Sequence, residues 1–265
     1  AIGGYCKNSL YLCALPGMGL PDAVQMADDF VNQLATRRPE TVSIGIAPFP
    51  LLAYDKRHTW SNACKALDHG AFLGPGSVIA VDAVSLNISG DRHYHLDEMD
   101  YAVAEYSAAL ELDPNNTNAR NSLGVCFAEL DDGAAAEAEF KIVTEIDPDE
   151  PMAWYNLGML SRLNGRNEAA LAYFKKAYAI QSDFFEIPFQ IGRILSEQCR
   201  WTEALEYAEK AAELHQGHWS VHSLMGICLA TLDRIPEAIR AYTQSVKRNP
   251  NNPWDLSALG CLFDA

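Results

Sequence analysis

Three histidines, His215, His218 and His222, stand in the spacing HxxHxxxH. Imidazole nitrogens are common ligands of transition metals, and residues four apart share one face of a helix, so His218 and His222 are the nearest approach to a metal motif in the chain. No carboxylate stands beside them in sequence to hold a ring tautomer. They are expected to be two loop residues and one helix residue, with no metal bound. His93-Tyr94-His95 places two more imidazoles at period-two spacing, with the same expectation. No P-loop, GxSxG or HExxH pattern occurs, so no catalytic residue is assigned and no cofactor is expected. The seven cysteines (Cys6, Cys13, Cys64, Cys126, Cys199, Cys228, Cys261) are odd in number and lack a CxxC pair. In runs such as LGVCFAEL and MGICLATL they read as reduced, small hydrophobes, which suits a cytoplasmic protein better than a secreted disulfide framework.

The elements that would carry any site follow from periodicity. Glycine recurs at Gly124, Gly158, Gly192, Gly226 and Gly260, each step 34 residues, with Gly90 one step earlier. Alanine keeps the same interval at Ala102, Ala136, Ala170, Ala204 and Ala238. With glycine near 7% of residues, four further hits in register would arise by chance about 2 times in 100,000, so the repeat is real. The phrases NSLG, YNLG, FQIG, SLMG and SALG mark it, and Pro114, Pro148 and Pro250 fall at repeat ends. Such a unit reads as two antiparallel helices. Small Gly and Ala positions let them approach closely, bulky Phe140, Trp154, Phe174 and Tyr242 fill the space beside them, and proline stops the second helix.

This signature is similar to the tetratricopeptide family over residues 97–265, about 64% of the chain. It lays out a lone helix at 98–112, whole repeats at 117–150, 151–184, 185–218 and 219–252, and a half repeat at 253–265. The resemblance implies a right-handed helical superhelix whose concave groove is lined by positions 2, 5, 6 and 9 of each first helix. Those are Asn118, Asn121, Ser122 and Val125; Met152, Tyr155, Asn156 and Met159; Glu186, Phe189, Gln190 and Arg193; and Ser220, Ser223, Leu224 and Ile227. The amides suit the backbone of an extended peptide, and Tyr155, Met159 and Phe189 offer apolar pockets. The family's carboxylate clamp needs several basic residues here, and only Arg193 is basic.

Residues 1–96 have a different grain. NSLYLCALP (8–16), TVSIGIA (41–47) and SVIAVDAV (77–84) read as strands, and 21–38 and 59–74 as helices, giving the order β-α-β-α-β of an open α/β sandwich. LPGMGLPDAVQMADDF, TVSIGIA and NACKALDHGAFLGPGSVIA resemble consecutive pieces of the GGDEF diguanylate cyclase family, so these residues are expected to be a degenerate, partial, cyclase-like domain. That family holds metal and substrate on acids of its first strand and of the GGDEF hairpin. At the hairpin stands Gly3-Gly4-Tyr5-Cys6-Lys7, without those acids, and two-metal catalysis is not expected. The three strands are expected to form one core, with 8–16 and 41–47 pairing directly or leaving an open edge.

Composition narrows the partners. The formal charge of -15 is concentrated in 97–150, where 15 carboxylates face only Arg120 and Lys141. Phosphate-backbone binding is thereby disfavoured, and a partner with a basic segment favoured. No apolar run reaches membrane-spanning length. The expected protein is a non-enzymatic, bacterial, cytoplasmic scaffold in signalling or complex assembly that binds a peptide or protein segment. The alternative is a regulator that senses GTP or cyclic di-GMP through residues 1–96. Trp254, Leu256, Leu259, Leu262 and Phe263 on the last helix suggest a homodimer, or a longer natural chain that completes the repeat.

Overall fold

The computed structural model describes residues 2–5 and 10–263. Contacts divide the chain into two units, 1–130 and 131–265. Cys6 and Lys7 of the expected hairpin lie outside the described residues.

The first unit opens with strands β1 (Ile2–Tyr5) and β2 (Tyr11–Ala14), paired antiparallel from Ile2↔Ala14 to Tyr5↔Tyr11. Helix α1 (Leu20–Ala35) follows, with Pro21 and Asp22 in its first turn, where a missing N–H and a negative charge are both tolerated. Strand β3 (Ile44–Ile46) and strand β4 (Val78–Ala80) pair in parallel through the crossover helix α2 (Thr59–Leu73). The glycine of TVSIGIA has a steric cause here. A Cβ on Gly45 would lie 2.0 Å from the Ala63 carbonyl oxygen, so only glycine lets β3 touch the α2 backbone.

Two expectations are corrected in this unit. The strands at 8–16, 41–47 and 77–84 do not make one sheet: β2 pairs with β1, β3 with β4. All four residues of β2 are exposed, so it has no buried face to bring to a common core. The helix at 98–112 is not alone either. Strand β4 stops at Ala80, and α3 (Ala83–His95) starts behind a capping box in which Asp82 accepts from the Ser85 N–H at 2.8 Å. Helix α3 packs on α4 (Met99–Leu112), and α5 (Thr117–Glu129) packs on α4 in turn. One apolar cluster runs from Leu51 and Ala66 through Leu86 to Ala109 and Ala119, so residue 96 lies inside this unit, at the turn between α3 and α4. A buried ion pair, Lys65 Nζ to Glu105 Oε1 at 2.6 Å, joins α2 to α4, with Tyr54 stacked on the ammonium at 4.6 Å.

The second unit is helical throughout: α6 (Gly133–Ile146), α7 (Pro151–Leu163), α8 (Asn167–Ile180), α9 (Glu186–Glu197), α10 (Trp201–Leu214), α11 (Trp219–Thr231), α12 (Ile235–Arg248) and α13 (Pro253–Phe263). Each packs on the next. The core cluster extends from Ala170 to Ala241, with Phe174, Ile187, Ile191, Ile194 and Val221 fully buried. The 34-residue glycines have a direct cause. A Cβ on Gly158 would meet the Phe174 ring at 2.7 Å, and one on Gly226 the Tyr242 ring at 2.8 Å. At Gly192 the residue in the ring's place is Ala208, and α10 approaches with its backbone instead.

A second 34-residue series runs through the turns. Asp97, Asp131, Gly165, Cys199 and Asp233 all have φ between 59° and 70°. Asp and Gly enter this left-handed region readily, and cysteine does not.

Candidate functional site

Helices α7 and α9 place a polar cluster around one phenol. Tyr155 on α7 is held from below by Phe174 at 5.6 Å and by the edge of Phe184 at 5.8 Å. Burial raises its pKa, the Glu186 carboxylate adds to that, and the Gln190 side chain and Arg162 partly offset it, so the hydroxyl stays a donor. Arg162, Glu186 and Gln190 therefore all act on the same hydroxyl. Each also has a buried atom with no partner: Arg162 Nε, Glu186 Oε2 and Gln190 Oε1. Gln190 is 8% exposed, so its oxygen has no general access to solvent. Arg193, one turn beyond Phe189, lies over that ring at 5.7 Å. Burial and then the Arg162 charge lower its pKa, and the Glu197 carboxylate partly offsets them.

The local sequence explains the placement. Met152 N–H is capped by Glu150 Oε1 at 3.0 Å and Pro151 opens α7, which fixes the helix start and points 155, 159 and 162 to one face. Glu186 stands in the first turn of α9, and the continuous burial of Ile187 to Gly192 holds that helix rigid beneath it.

The sixteen groove positions sort into distinct groups. Met152, Tyr155, Asn156, Met159, Glu186 and Arg193 are half-buried on α7 and α9, and Tyr155 and Met159 pack on the core cluster. Phe189 and Leu224 are core residues, at 9% and 5% exposure, and do not form an open pocket. Ser220 engages His218 Nδ1 at 2.7 Å, and Ser223 donates to Asp255 at 2.6 Å, so both hydroxyls serve the fold. Ile227 is exposed. In the first unit, Asn118 is exposed on α5, whereas Asn121, Ser122 and Val125 are half-buried, and Ser122 hydrogen-bonds Tyr106. Arg162 was not among the sixteen. It sits seven residues after Tyr155 on the same face, a spacing legible in the sequence, but three residues past the last groove position of its helix.

The histidine motif is taken up by packing. His215 and His218 stand edge to face at 5.7 Å, and Phe185 packs against both at 4.8 and 5.0 Å. His222 Nε2 bonds the Gln216 carbonyl at 3.0 Å. His93 bonds Glu98 at 2.6 Å and stacks on Tyr101, and since 93–95 is helical, His95 points elsewhere. Among the described residues no three metal-binding side chains converge. Cys126 and Cys228, the cysteines of LGVCFAEL and MGICLATL, are buried as expected, and burial pushes their thiols up to about 11, whereas Cys13, Cys199 and Cys261 are exposed. Among the described residues no helix is long and apolar enough to cross a membrane.

Comparison with known proteins agrees with the helical pattern. A tetratricopeptide repeat model matches residues 130–183 and 189–253, and a TPR repeat model matches 90–131. Residues 90–183 and 189–253 are thus built of tetratricopeptide repeats, and the chain belongs to that family. Among solved structures, PilF of Pseudomonas aeruginosa is similar at 20% identity and a TM-score of 0.63, over 69% of this chain and 84% of that one. YrrB, described as a TPR protein with an unusual peptide-binding site, is similar at 22% identity and 0.56, over 67% and 91%. MamA is similar at 20% identity and 0.55, over 61% and 94%. At these identities the likeness is one of fold. No curated protein matches the sequence.

Proposed function

We propose that the chain is a non-enzymatic interaction scaffold that takes an extended peptide segment of a partner protein across α7 and α9. The observation that carries this reading is the mixed set of unpartnered buried atoms around Tyr155: a donor on Arg162 and acceptors on Glu186 and Gln190. A buried polar group without a partner is costly, so the site calls for a ligand that both donates and accepts. An extended main chain does both at every residue: as the three side chains turn to admit it, its carbonyls suit Arg162, and its N–H groups suit Glu186 and Gln190. Met159 and the Tyr155 ring then flank the segment's side chains.

YrrB, a neighbour in fold, is described as having a peptide-binding site, which is the use of the fold proposed here. Acidic residues near α6 and α7, among them Glu145, Asp147, Asp149 and Glu150, favour a segment carrying Lys or Arg outside the contact. Within residues 1–96, the parallel β3-α2-β4 unit and the Gly3-Gly4 pair inside a β-hairpin support descent from a cyclase-like domain that has lost its acids. Complex assembly is the role this combination serves.

The test is selection from a library of displayed, unstructured peptides, followed by calorimetry on the enriched sequence. Gln190→Leu and Arg162→Met should each weaken binding roughly tenfold, the loss of one net hydrogen bond in a desolvated site. Trp254→Ala on α13 should leave binding unchanged. Failure to enrich any peptide, or equal binding by the Arg162 and Gln190 variants, would refute the assignment.

A further inference from the structure

Arginines of the second unit differ by depth, and the deeper ones are those without a bonded carboxylate. The exposed Arg166, Arg200 and Arg234 bond Glu137, Glu203 and Glu237 at 2.8, 2.6 and 2.6 Å. Arg162 and Arg193 are half-buried, and among the described residues neither side chain has an ion pair or a hydrogen bond. The carboxylate that acts on Arg193, Glu197, is exposed and does so without a hydrogen bond. Desolvation penalises an unpaired charge most, so this distribution is the reverse of what folding alone would favour.

Helix geometry turns the two guanidiniums toward one place. The side chains of Tyr155 on α7 and Gln190 on α9 are hydrogen-bonded. From that contact Arg193 lies one turn further along α9, about 4.5 Å, and Arg162 two turns along α7, about 10.5 Å. A helical side chain leans back toward the N-terminus, so the long Arg162 side chain returns toward the level of Arg193. Its charge acts on both Tyr155 and Arg193. Arg193 lies over the Phe189 ring at 5.7 Å, and Arg162 Nε is buried without a partner. Glu186 stands two turns before Arg193 on α9, which puts its carboxylate at the other end of the site.

We infer that Arg162 and Arg193 together receive a phosphorylated serine or threonine side chain within the bound segment. This rests on the peptide reading of α7 and α9 and adds the chemistry of one residue of that peptide. A phosphoryl group carries about two negative charges and balances both guanidiniums, whereas a carboxylate balances one. Its three free oxygens accept from two helices at once, and five N–H donors on Arg162 leave some for a main-chain carbonyl. The acids at Glu145, Asp147, Asp149 and Glu150 then favour Lys or Arg beside the phosphorylated residue. The pair differs from the family's carboxylate clamp, since Arg162 lies outside the groove positions.

The probes are two degenerate peptide libraries with lysine flanks, identical except for a fixed central phosphoserine or serine, passed over the immobilised protein. The most enriched sequence from each is resynthesised with phosphoserine, serine or aspartate at the centre for fluorescence anisotropy. The phosphoserine form should bind at least about tenfold tighter than the serine form, and the aspartate form little better than serine. Arg193→Met should cost the phosphoserine form roughly tenfold more than the serine form, Arg193→Lys should cost it less, and Gln190→Leu should weaken both forms alike. Arg193→Met should melt no lower than the parent, because it removes an unpaired half-buried charge. Phosphoserine binding no tighter than serine, an equal gain from aspartate, or equal losses of both forms on Arg193→Met overturns the inference, while saturable serine binding leaves the peptide reading standing. Binding by neither library overturns both.

Discussion

In residues 131–265 the core is apolar from Ala170 to Ala241, and its ion pairs, such as Arg166 with Glu137 at 2.8 Å, lie near the surface. In residues 1–130 the apolar clusters are smaller, and α2 meets α4 through a buried lysine and glutamate. The difference follows from repetition. A repeated hairpin meets a similar neighbour each time, so one steric solution, ring on glycine, serves at Gly158 and Gly226, with the α10 backbone in the ring's place at Gly192. The α/β segment meets a helical hairpin only once. That contact adds to its apolar cluster particular polar pairs: Lys65 with Glu105, Arg92 with Asp68 at 2.6 Å, and His69 with Asp82 at 3.3 Å. Shape is generic in the second unit, whereas the first depends on individual charges.

The sharpest way to break this contrast is Lys65→Ala. It strands the buried Glu105 carboxylate and should cost about 3–5 kcal/mol, whereas Lys65→Met with Glu105→Leu should recover most of the loss. Urea melts followed by tryptophan fluorescence and circular dichroism would read both. A loss below about 1 kcal/mol for the single change would show that the pair behaves like a surface bridge.

Next comes Gly158→Ala. Helix propensity alone would favour alanine by about 1 kcal/mol, but the new methyl collides with Phe174, and overpacking of about 1–3 kcal/mol should prevail. Thermal melting decides the sign. A stabilised variant would mean that the ring yields and that the glycine period has no steric basis.

Smaller still is Cys199→Gly in the left-handed turn. Relief of the side-chain penalty should outweigh glycine's greater freedom when unfolded and raise stability by up to about 1 kcal/mol, with Asp233→Gly giving less.

The least is expected from Glu137. Hydrogen bonds from Arg166 and then Lys141 hold its pKa down to about 2, below the ordinary glutamate value of 4.5. A depressed carboxylate stabilises the fold above the unfolded value and loses that contribution as pH falls toward 2. Glu137→Gln should therefore cost at most about 1 kcal/mol at pH 7 and nothing near pH 2, in a pH series of melts.

The same contrast explains what was legible in the sequence. Helices α5 to α13 could be placed because Gly158 and Gly226 are required by rings at a constant offset, and sterics of that kind leaves a period. Helix α3 was hidden behind SVIAVDAV, whose β-branched residues read as strand to residue 84, although Asp82 and Ser85 already spell a helix start and Gly90 with Tyr106 already repeats the offset. Which strands would pair was not legible, because pairing depends on edges that only the fold brings together. In the site, Tyr155, Glu186 and Gln190 were reachable from the repeat register. Arg162 was not, since it lies beyond the last groove position of its helix and acts on Tyr155 by charge. The histidines carry the spacing HxxHxxxH, but His215 and His218 pack together against Phe185, thirty residues upstream of His215, a neighbour that their local sequence does not reveal.

The left-handed residues at 97, 131, 165, 199 and 233 have a consequence for heredity. They cut the helical part into pieces of equal length, each starting and stopping at the same backbone conformation. A gene that gained or lost the codons between two neighbouring hinges would keep its reading frame and return every remaining ring to a glycine. Copy number is therefore expected to be the variable that changes most readily among descendants of this gene, while the stretch encoding Lys65 and Glu105 has no comparable unit to trade.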